Sequence, residues 1–352
     1  MRSSPVRQSK SFPKRRHSSS RATASVTLGD VAKLAGVSPM TVSRALNRPE
    51  LLTPDTLERV HRVIERTGYV PNLLAGGLAS SRSRLVAAIV PSITNGIFVE
   101  TVQALTDRLW QAGYQLMLGL SGYPATREDA LLSAVLSRRP DAVCLTGINH
   151  SAETRKRLLA ARIPVVETWD LTPTPIDMLV GFSHERVGEA VARHLLGKGH
   201  RRFGLISAND ERASARRRGF IAELGRDGIT DVETVIVAAP STLALGRQAM
   251  STMLDRGARP QVVFCGSDTL AQGVLEEARS RRIDVPDGIA LMGFGGLEFT
   301  QHTSPPLSTV DVDRSAIGRL AAEVILARID GQPALPAKVI DVGFRIVDRG
   351  ST

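Results

Sequence analysis

From residue 84 onward the chain alternates short, unbroken apolar runs with longer stretches of helical spacing, and it does so twice. The first series is "LVAAIVPS", "YQLMLGLS", "DAVCLTG", "IPVVETW" and "DMLVGFS"; after a helix over 184–198 come "RFGLISA", "ETVIVAA", "QVVFCGS" and "IALMGFGG". Strands read as continuous apolar runs when helices cover both faces of a parallel sheet. The pattern predicts an α/β fold with two successive Rossmann-like parallel sheets and a cleft between them, where ligands of open α/β sheets bind at the carboxyl ends of strands.

Catalytic and cofactor chemistry finds little support. "GFGGLEF" lacks the spacing of a dinucleotide fingerprint, the lysine of "GKGH" is not followed by Ser or Thr as a phosphate loop requires, and no Gly-x-Ser-x-Gly elbow occurs. No acid and base pair converges on the cleft, so the reading is a binding protein with no catalytic residues and no cofactor. The seven histidines show no His-x-x-x-His pairing, and Cys144 and Cys265 each sit inside an apolar run, as small core residues do. No metal site is expected. With 352 residues, 42% hydrophobic, the chain can build two or three domains. It has neither a signal-peptide stretch nor an apolar run of roughly 18 residues, which predicts a cytoplasmic protein with no membrane partner.

Charge is informative once divided by position. Residues 1–85 hold fifteen Lys and Arg against five Asp and Glu, while residues 86–352 balance at thirty of each. The whole excess lies in the first quarter, which points to a polyanion partner there. A membrane surface would want an amphipathic helix with large apolar anchors, and none is visible. Residues 1–25 are Ser/Arg-rich, carry seven basic residues and no acid, and read as a disordered tail. That tail is either inert or a basic arm that attracts phosphates without sequence preference.

Next come two short helices with a tight join. "TLGDVAKLAG" starts at a Thr27 cap, places Leu28, Val31, Ala32, Leu34 and Ala35 on one face, and stops at Gly36. "SPMTVSRALN" begins again with Ser38 as cap and Pro39 at the first helical position, where its missing N–H costs nothing. Val37, Val42 and Ala45 can pack inward, leaving Pro39, Met40, Thr41, Ser43, Arg44 and Asn47 outward. A third segment, "TPDTLERVHRVIERTGYVPN", closes a small core with Leu57, Val60, Val63 and Ile64. A short, polar-faced helix after a Gly-containing turn is the recognition helix of a helix-turn-helix; an ordinary helical hairpin is the alternative, which the basic excess disfavours.

"VTLGDVAKLAGVSPMTVSRALN", "GYVPNLLAGGLASSRS" and the α/β remainder together resemble the lactose-repressor family of bacterial transcription regulators, over residues 26–349. The resemblance implies a helix-turn-helix domain over 26–70, a hinge over 71–83 and a two-lobed, periplasmic-binding-protein-like effector domain over 84–352. The first lobe would span about 84–183 plus 312–335 and the second about 184–311 plus 336–352. It further implies that Pro39, Met40 and Arg44 face base edges while Thr27, Ser38, Thr41, Ser43 and Asn47 meet phosphates of a double-stranded, palindromic operator bound by a homodimer. Arginine can read guanine with two hydrogen bonds, whereas Pro39 and Met40 offer only apolar contact. In the hinge, Leu78 takes the position of the minor-groove wedge, with Ala75 beside it, and Gly76-Gly77 departs from the common pattern.

For the ligand, "PSITNGIF" places Asn95 and Phe98 after the first strand, "VVETWD" puts Trp169 at a rim, "ERASARRRGF" opens a helix with Ser214 and Arg218, and "CGSDTL" offers Asp268. The resemblance puts Trp169, Ser214, Arg218 and Asp268 near the effector, and Gly295 where many sugar-binding relatives carry an aspartate. Removing that carboxylate while keeping an arginine favours an anion. The stretches "GYQLMLGLSGY", "VGFSH" and "VFCGSDTLA" are most similar to the gluconate-repressor branch. The expectation is a repressor controlled by a small sugar acid, gluconate fitting best; a periplasmic-type binding protein with a basic appendage and a sugar-acid enzyme are the alternatives, since fold alone does not settle function.

Overall fold

The computed structural model describes residues 26–70, 82–94, 96–331 and 338–352. The chain forms two compact units, Met1–Ser81 and Arg82–Thr352. The tail over 1–25, the hinge residues Ala75 and Leu78, and Asn95 lie outside the described residues.

The first unit is built from α1 (Leu28–Ala35), α2 (Pro39–Asn47) and α3 (Pro54–Thr67). Thr27 and Asp30 close a capping box at the start of α1: the Asp30 N–H donates to Thr27 Oγ1 at 3.3 Å and the Thr27 N–H donates to Asp30 Oδ2 at 2.9 Å. Gly36, at φ +66°, ends it in the left-handed region. Ser38 then caps α2 by accepting the Thr41 N–H at 3.1 Å, with Pro39 at the first helical position. Val31, Val42 and Val60 are fully buried where the three helices meet, and burial of each contributes about 1.5–3 kcal/mol. Tyr69, just past α3, completes this core. Leu34 departs from expectation, being 53% exposed. Leu28, Val31, Ala32 and Ala35 already fill an arc of roughly 100° on the helix, and Leu34 falls outside it.

In the second unit, β1 (Leu85–Val90), β2 (Gln115–Leu120), β3 (Ala142–Thr146), β4 (Val165–Thr168) and β5 (Met178–Gly181) alternate with α4 (Val99–Gln111), α5 (Ala125–Leu136) and α6 (Ala152–Ala161). After α7 (His184–Gly197) the alternation restarts with β6 (Phe203–Ala208), α8 (Glu211–Arg226), β7 (Val232–Val237), α9 (Leu243–Asp255), β8 (Val262–Cys265), α10 (Asp268–Ser280), β9 (Ala290–Gly295) and β10 (Ser308–Asp311). The chain finishes with α11 (Arg314–Ile329), β11 (Val339–Asp341) and β12 (Arg345–Val347). The result is two six-stranded sheets, ordered β11-β5-β4-β3-β1-β2 and β12-β10-β9-β8-β6-β7, parallel except where β12 meets β10. Every apolar run read as a strand is one. Cys144 and Cys265 are buried free thiols in β3 and β8.

The lobe boundary near the C-terminus differs from the expected one. Val339, Ile340 and Asp341 pair with Leu179, Val180 and Gly181 in the first sheet, so only the residues after Asp341 belong to the second lobe. Two three-residue edge strands, "VID" and "RIV", carry too little pattern to declare their sheets. The chain thus crosses between lobes after β5, between β10 and α11, and between β11 and β12.

One helix contact governs the cleft. A Cβ at Gly188 of α7 would collide with the Arg216 carbonyl, and one at Gly219 of α8 with the Glu185 carbonyl. Two glycines therefore let α7 and α8 touch backbone to backbone, bringing the start of α7 beside the inner face of α8.

Candidate nucleic-acid interface and ligand cleft

On α2, Val42 and Ala45 are buried, while Pro39, Arg44 and Asn47 are exposed and Met40 is 62% exposed. The outward set read from the sequence is therefore presented on one face, with Thr41 and Ser43 half-buried at its edge. Arg44 has no hydrogen-bond or ion-pair partner among the described residues, so its guanidinium is available to an outside acceptor. Several polar neighbours are already engaged. Ser38 and Thr41 share a hydrogen bond at 2.9 Å, the Asn47 amide donates to Ser43 O at 2.9 Å, and the Thr27 hydroxyl donates to Asp30 Oδ2 at 2.7 Å. The Asp30 carboxylate, held below its usual range by those Thr27 bonds, faces the hydroxyl expected to meet a phosphate.

In the second unit, helix starts converge at the carboxyl ends of the strands. Ser183, Asp210, Thr242 and Ser267 cap α7, α8, α9 and α10 through their side-chain oxygens. Between the lobes lies a cleft with Phe98, Trp169 and Phe294 as aromatic walls and Arg212, Arg216 and His184 among its polar lining. Tyr123, Asp210 and Arg212 continue into a wider polar mouth that includes Asp170 and Asn149. Burial raises the Asp170 carboxyl above its ordinary range although arginines oppose the shift.

Arg216 is the centre of the cleft's chemistry. It is 6% exposed, its Nη2 donates to Gly266 O at 2.8 Å, its Nη1 donates to His184 Nδ1 at 2.7 Å, and its guanidinium lies 3.8 Å from the Phe294 ring centroid. Its Nε is buried without a partner among the described residues. Burial pushes the guanidinium down to about 10, which leaves it a cation at neutral pH. His184 is buried too, and its Nε2 donates to Trp169 O at 2.8 Å, which makes Nδ1 the acceptor toward Arg216. Burial first, and the adjacent Arg216 second, hold the imidazole well below its ordinary range, so it is neutral.

Trp169 ties this floor to the first lobe. It adopts φ +69°, uncommon for a bulky side chain, with its indole N–H donating to Thr101 Oγ1 at 3.2 Å and its ring edge-on to Phe98 at 5.0 Å.

Of the ligand residues expected from sequence, Phe98 and Trp169 line the cleft; the other described ones do not. Arg218 lies on the exposed side of α8 and Ser214 is half-buried outside the lining. The reason is helical register. Gly219 and Phe220 face inward, and the residues one turn earlier are 215 and 216, not 218. Asp268 is fully buried beneath the cleft, accepting the Thr309 hydroxyl at 2.6 Å and the Leu297 N–H at 2.7 Å, and burial pushes its carboxyl up to about 6. It is a bracket joining β10 to the loop after β9. Gly295 lies at φ +133°, a Cβ there would stand 2.7 Å from Ile97 Cδ1, and its carbonyl accepts from Arg314. The position has no room for a ligand-facing side chain in this conformation. Sequence reading missed Arg216, Arg212, His184 and Tyr123; only the i, i+4 spacing of Arg212, Arg216 and Phe220 signalled the first two.

An exposed, polar-faced second helix of a helix-turn-helix in one unit and a two-lobed cleft in the other are the architecture of a DNA-binding regulator. Residues 27–72 match the model for bacterial regulatory proteins of the lacI family, and residues 192–352 match that for a periplasmic binding protein-like domain. The HTH-type transcriptional regulator GntR of Pseudomonas aeruginosa PAO1 is 38% identical, the match covering 94% of this chain and 97% of that one. GntR of Escherichia coli K12 is 32% identical, with 92% and 98% covered. Among solved structures, a LacI-family transcriptional regulator from Silicibacter pomeroyi superposes with a TM-score of 0.87 at 36% identity, covering 93% of this chain and 99% of that one. The chain belongs to the lacI family of bacterial regulators and is a DNA-binding transcriptional repressor. Its similarity to the two GntR regulators extends through both units. Among the described residues no helix is long and apolar enough to cross a membrane.

Proposed function

We propose that this repressor binds a two-fold operator as a homodimer and that a small sugar acid, gluconate being the best candidate, sets its affinity for DNA. One helix-turn-helix covers only a half-site, so a palindrome calls for two copies. Within each half-site Arg44 reads a base edge, Pro39 and Met40 supply apolar contact, and Ser38, Thr41, Ser43 and Asn47 lie along the backbone. Thr27 joins them through its place at the helix start, and Ala75 and Leu78 are the hinge residues assigned to the minor groove.

The observation that carries the ligand reading is Arg216: a buried cation whose partners among the described residues, Gly266 O and His184 Nδ1, are both neutral. Asp210 and Asp170 act on it only through space, without pairing with it; a buried charge with no directly bonded counter-charge is unfavourable, and a ligand carboxylate relieves it with charge-assisted hydrogen bonds. Asp210, Ser241, Ser267 and Thr269 around it suit hydroxyl groups. Calorimetric titration of the full chain tests the reading: gluconate binds at least about tenfold more tightly than uncharged glucose, a difference of about 1.4 kcal/mol. Preferential binding of neutral sugars would end the sugar-acid assignment and leave the repressor standing.

A further inference from the structure

We propose that His184 is a positioning residue for ligand charge selectivity: it fixes the Arg216 guanidinium by a hydrogen bond without pairing it to a carboxylate, which leaves direct pairing with that cation to the ligand. The inference rests on the sugar-acid reading for its consequence and on geometry alone for its structural part.

Buried arginines are ordinarily paired with carboxylates, and a pair formed that way presents little net charge to a third group. Here the fork is held differently. Gly266 O and His184 Nδ1 accept from its two terminal nitrogens at 2.8 and 2.7 Å, and Phe294 lies 3.8 Å from it. The tautomer that makes this possible is set from the other side of the ring, where Nε2 donates to Trp169 O at 2.8 Å. The same carbonyl belongs to the residue whose indole walls the cleft, so one imidazole registers an aromatic wall of the first lobe against the cation of the second. Ring packing keeps it there: His184 meets Phe182 edge-on at 4.6 Å and Phe294 at 5.8 Å. The close backbone approach at Gly188 and Gly219 is what brings the two residues within reach.

A Gln and a Glu in place of His184 separate charge from shape, because both can accept from Arg216 and only Glu neutralises it. Full-length wild type, His184→Gln and His184→Glu are titrated with gluconate, with thermal melting and operator gel shifts as controls for folding. The expected result is that His184→Gln stays within about threefold of wild type and His184→Glu binds at least about tenfold more weakly. Equal binding by the Gln and Glu proteins would overturn the proposal.

The structural part is read without any ligand by nitrogen-15 spectra of histidine-labelled protein at neutral pH, His184 being assigned by its disappearance in His184→Gln. A neutral ring protonated on Nε2, whose Nδ1 resonance moves in Arg216→Met, is expected. A ring protonated on Nδ1 overturns the inference whether or not gluconate binds, whereas failure of wild type to bind gluconate beside the expected spectrum refutes only the ligand assignment. Should His184→Glu fail to fold, the spectrum and the His184→Gln titration decide: loss of binding by a folded Gln protein counts against positioning by a neutral acceptor.

Discussion

Arg44 and Arg216 are the cations on which the proposed function rests in each unit, and they are presented in opposite ways. Arg44 stands exposed on α2 with no partner among the described residues, on a scaffold of three helices closed by Val31, Val42, Val60 and their neighbours. Arg216 is 6% exposed, anchored at two nitrogens and packed on an aromatic face, in a cleft assembled from both lobes. The proposed partners account for the difference. A duplex brings its own dense charge and arrives with base edges to be searched, so a reader keeps its donor solvated and movable until contact. A small ligand offers a few polar atoms against the loss of its translational freedom, so the receptor must have desolvated and oriented its cation beforehand.

The sharpest way to break this contrast is to exchange the roles of neighbouring arginines on α8. Arg216→Met removes the held cation and should weaken gluconate binding by roughly 100-fold, about 2.7 kcal/mol, the range of hydrogen bonds to charged groups. Arg218→Met, on the exposed side, should change it by less than about threefold, since a solvated charge is screened. Both are measured by calorimetry on the full chain. If Arg218→Met carried the larger loss, the cleft would have to rearrange around the ligand and the pre-oriented cation would be no explanation.

The same two arginines show where sequence was legible. The helix-turn-helix could be read because its determinants are local: Thr27, Gly36, Ser38 and Pro39 mark the helix ends within a dozen residues, and Val42 and Ala45 reveal the inner face by spacing. The sheets could be read for the same reason, each strand being its own apolar run. The cleft could not, because its residues come from separate loops, and placing an arginine on α8 demanded a register taken from Gly219 and Phe220 instead of from the start of the helix. Asp268 misled for a related reason. A carboxylate at a strand end looks like a ligand group until Thr309, far along the chain, is found bonded to it. His184 entered only as the last residue of "VGFSH", with no role attached, since its partners Trp169 and Arg216 become neighbours only through the packing of α7 on α8.

The operator side gives an effect of comparable size. Arg44→Ala should weaken operator binding by about 1–3 kcal/mol per half-site and relax discrimination at one base pair. A gel-shift series over single-base operator variants reads both effects. Retention of wild-type base preference would mean that the free, exposed arginine contributes only general attraction, and the contrast with the held arginine would lose its first half.

A smaller effect is expected at Thr27, where capping and phosphate contact make different demands. Loss of the cap in Thr27→Ala should lower the stability of the first unit by about 1 kcal/mol, and Thr27→Ser, which retains the hydroxyl, should recover most of it. Chemical denaturation measures this directly. If stability is unchanged while operator affinity falls, the hydroxyl serves the duplex and the bond to Asp30 at 2.7 Å gives way on binding.

The smallest expected effect, at Leu34, is set against that of a buried neighbour to test whether α1 is as one-sided as its packing implies. Val31 is fully buried and Leu34, three residues later, is 53% exposed. Val31→Ala deletes two buried methyl groups and should cost about 1–3 kcal/mol, with a cavity where the three helices meet. Leu34→Ser removes apolar surface that is already in water, so stability should move by less than about 0.5 kcal/mol. The pair also separates folding from recognition, because a folded Leu34→Ser protein with wild-type stability and weaker operator binding would place this leucine in the contact surface. A loss of more than about 1 kcal/mol in the free protein would instead show that Leu34 is packed, which would widen the inner face of α1 beyond its arc of roughly 100°.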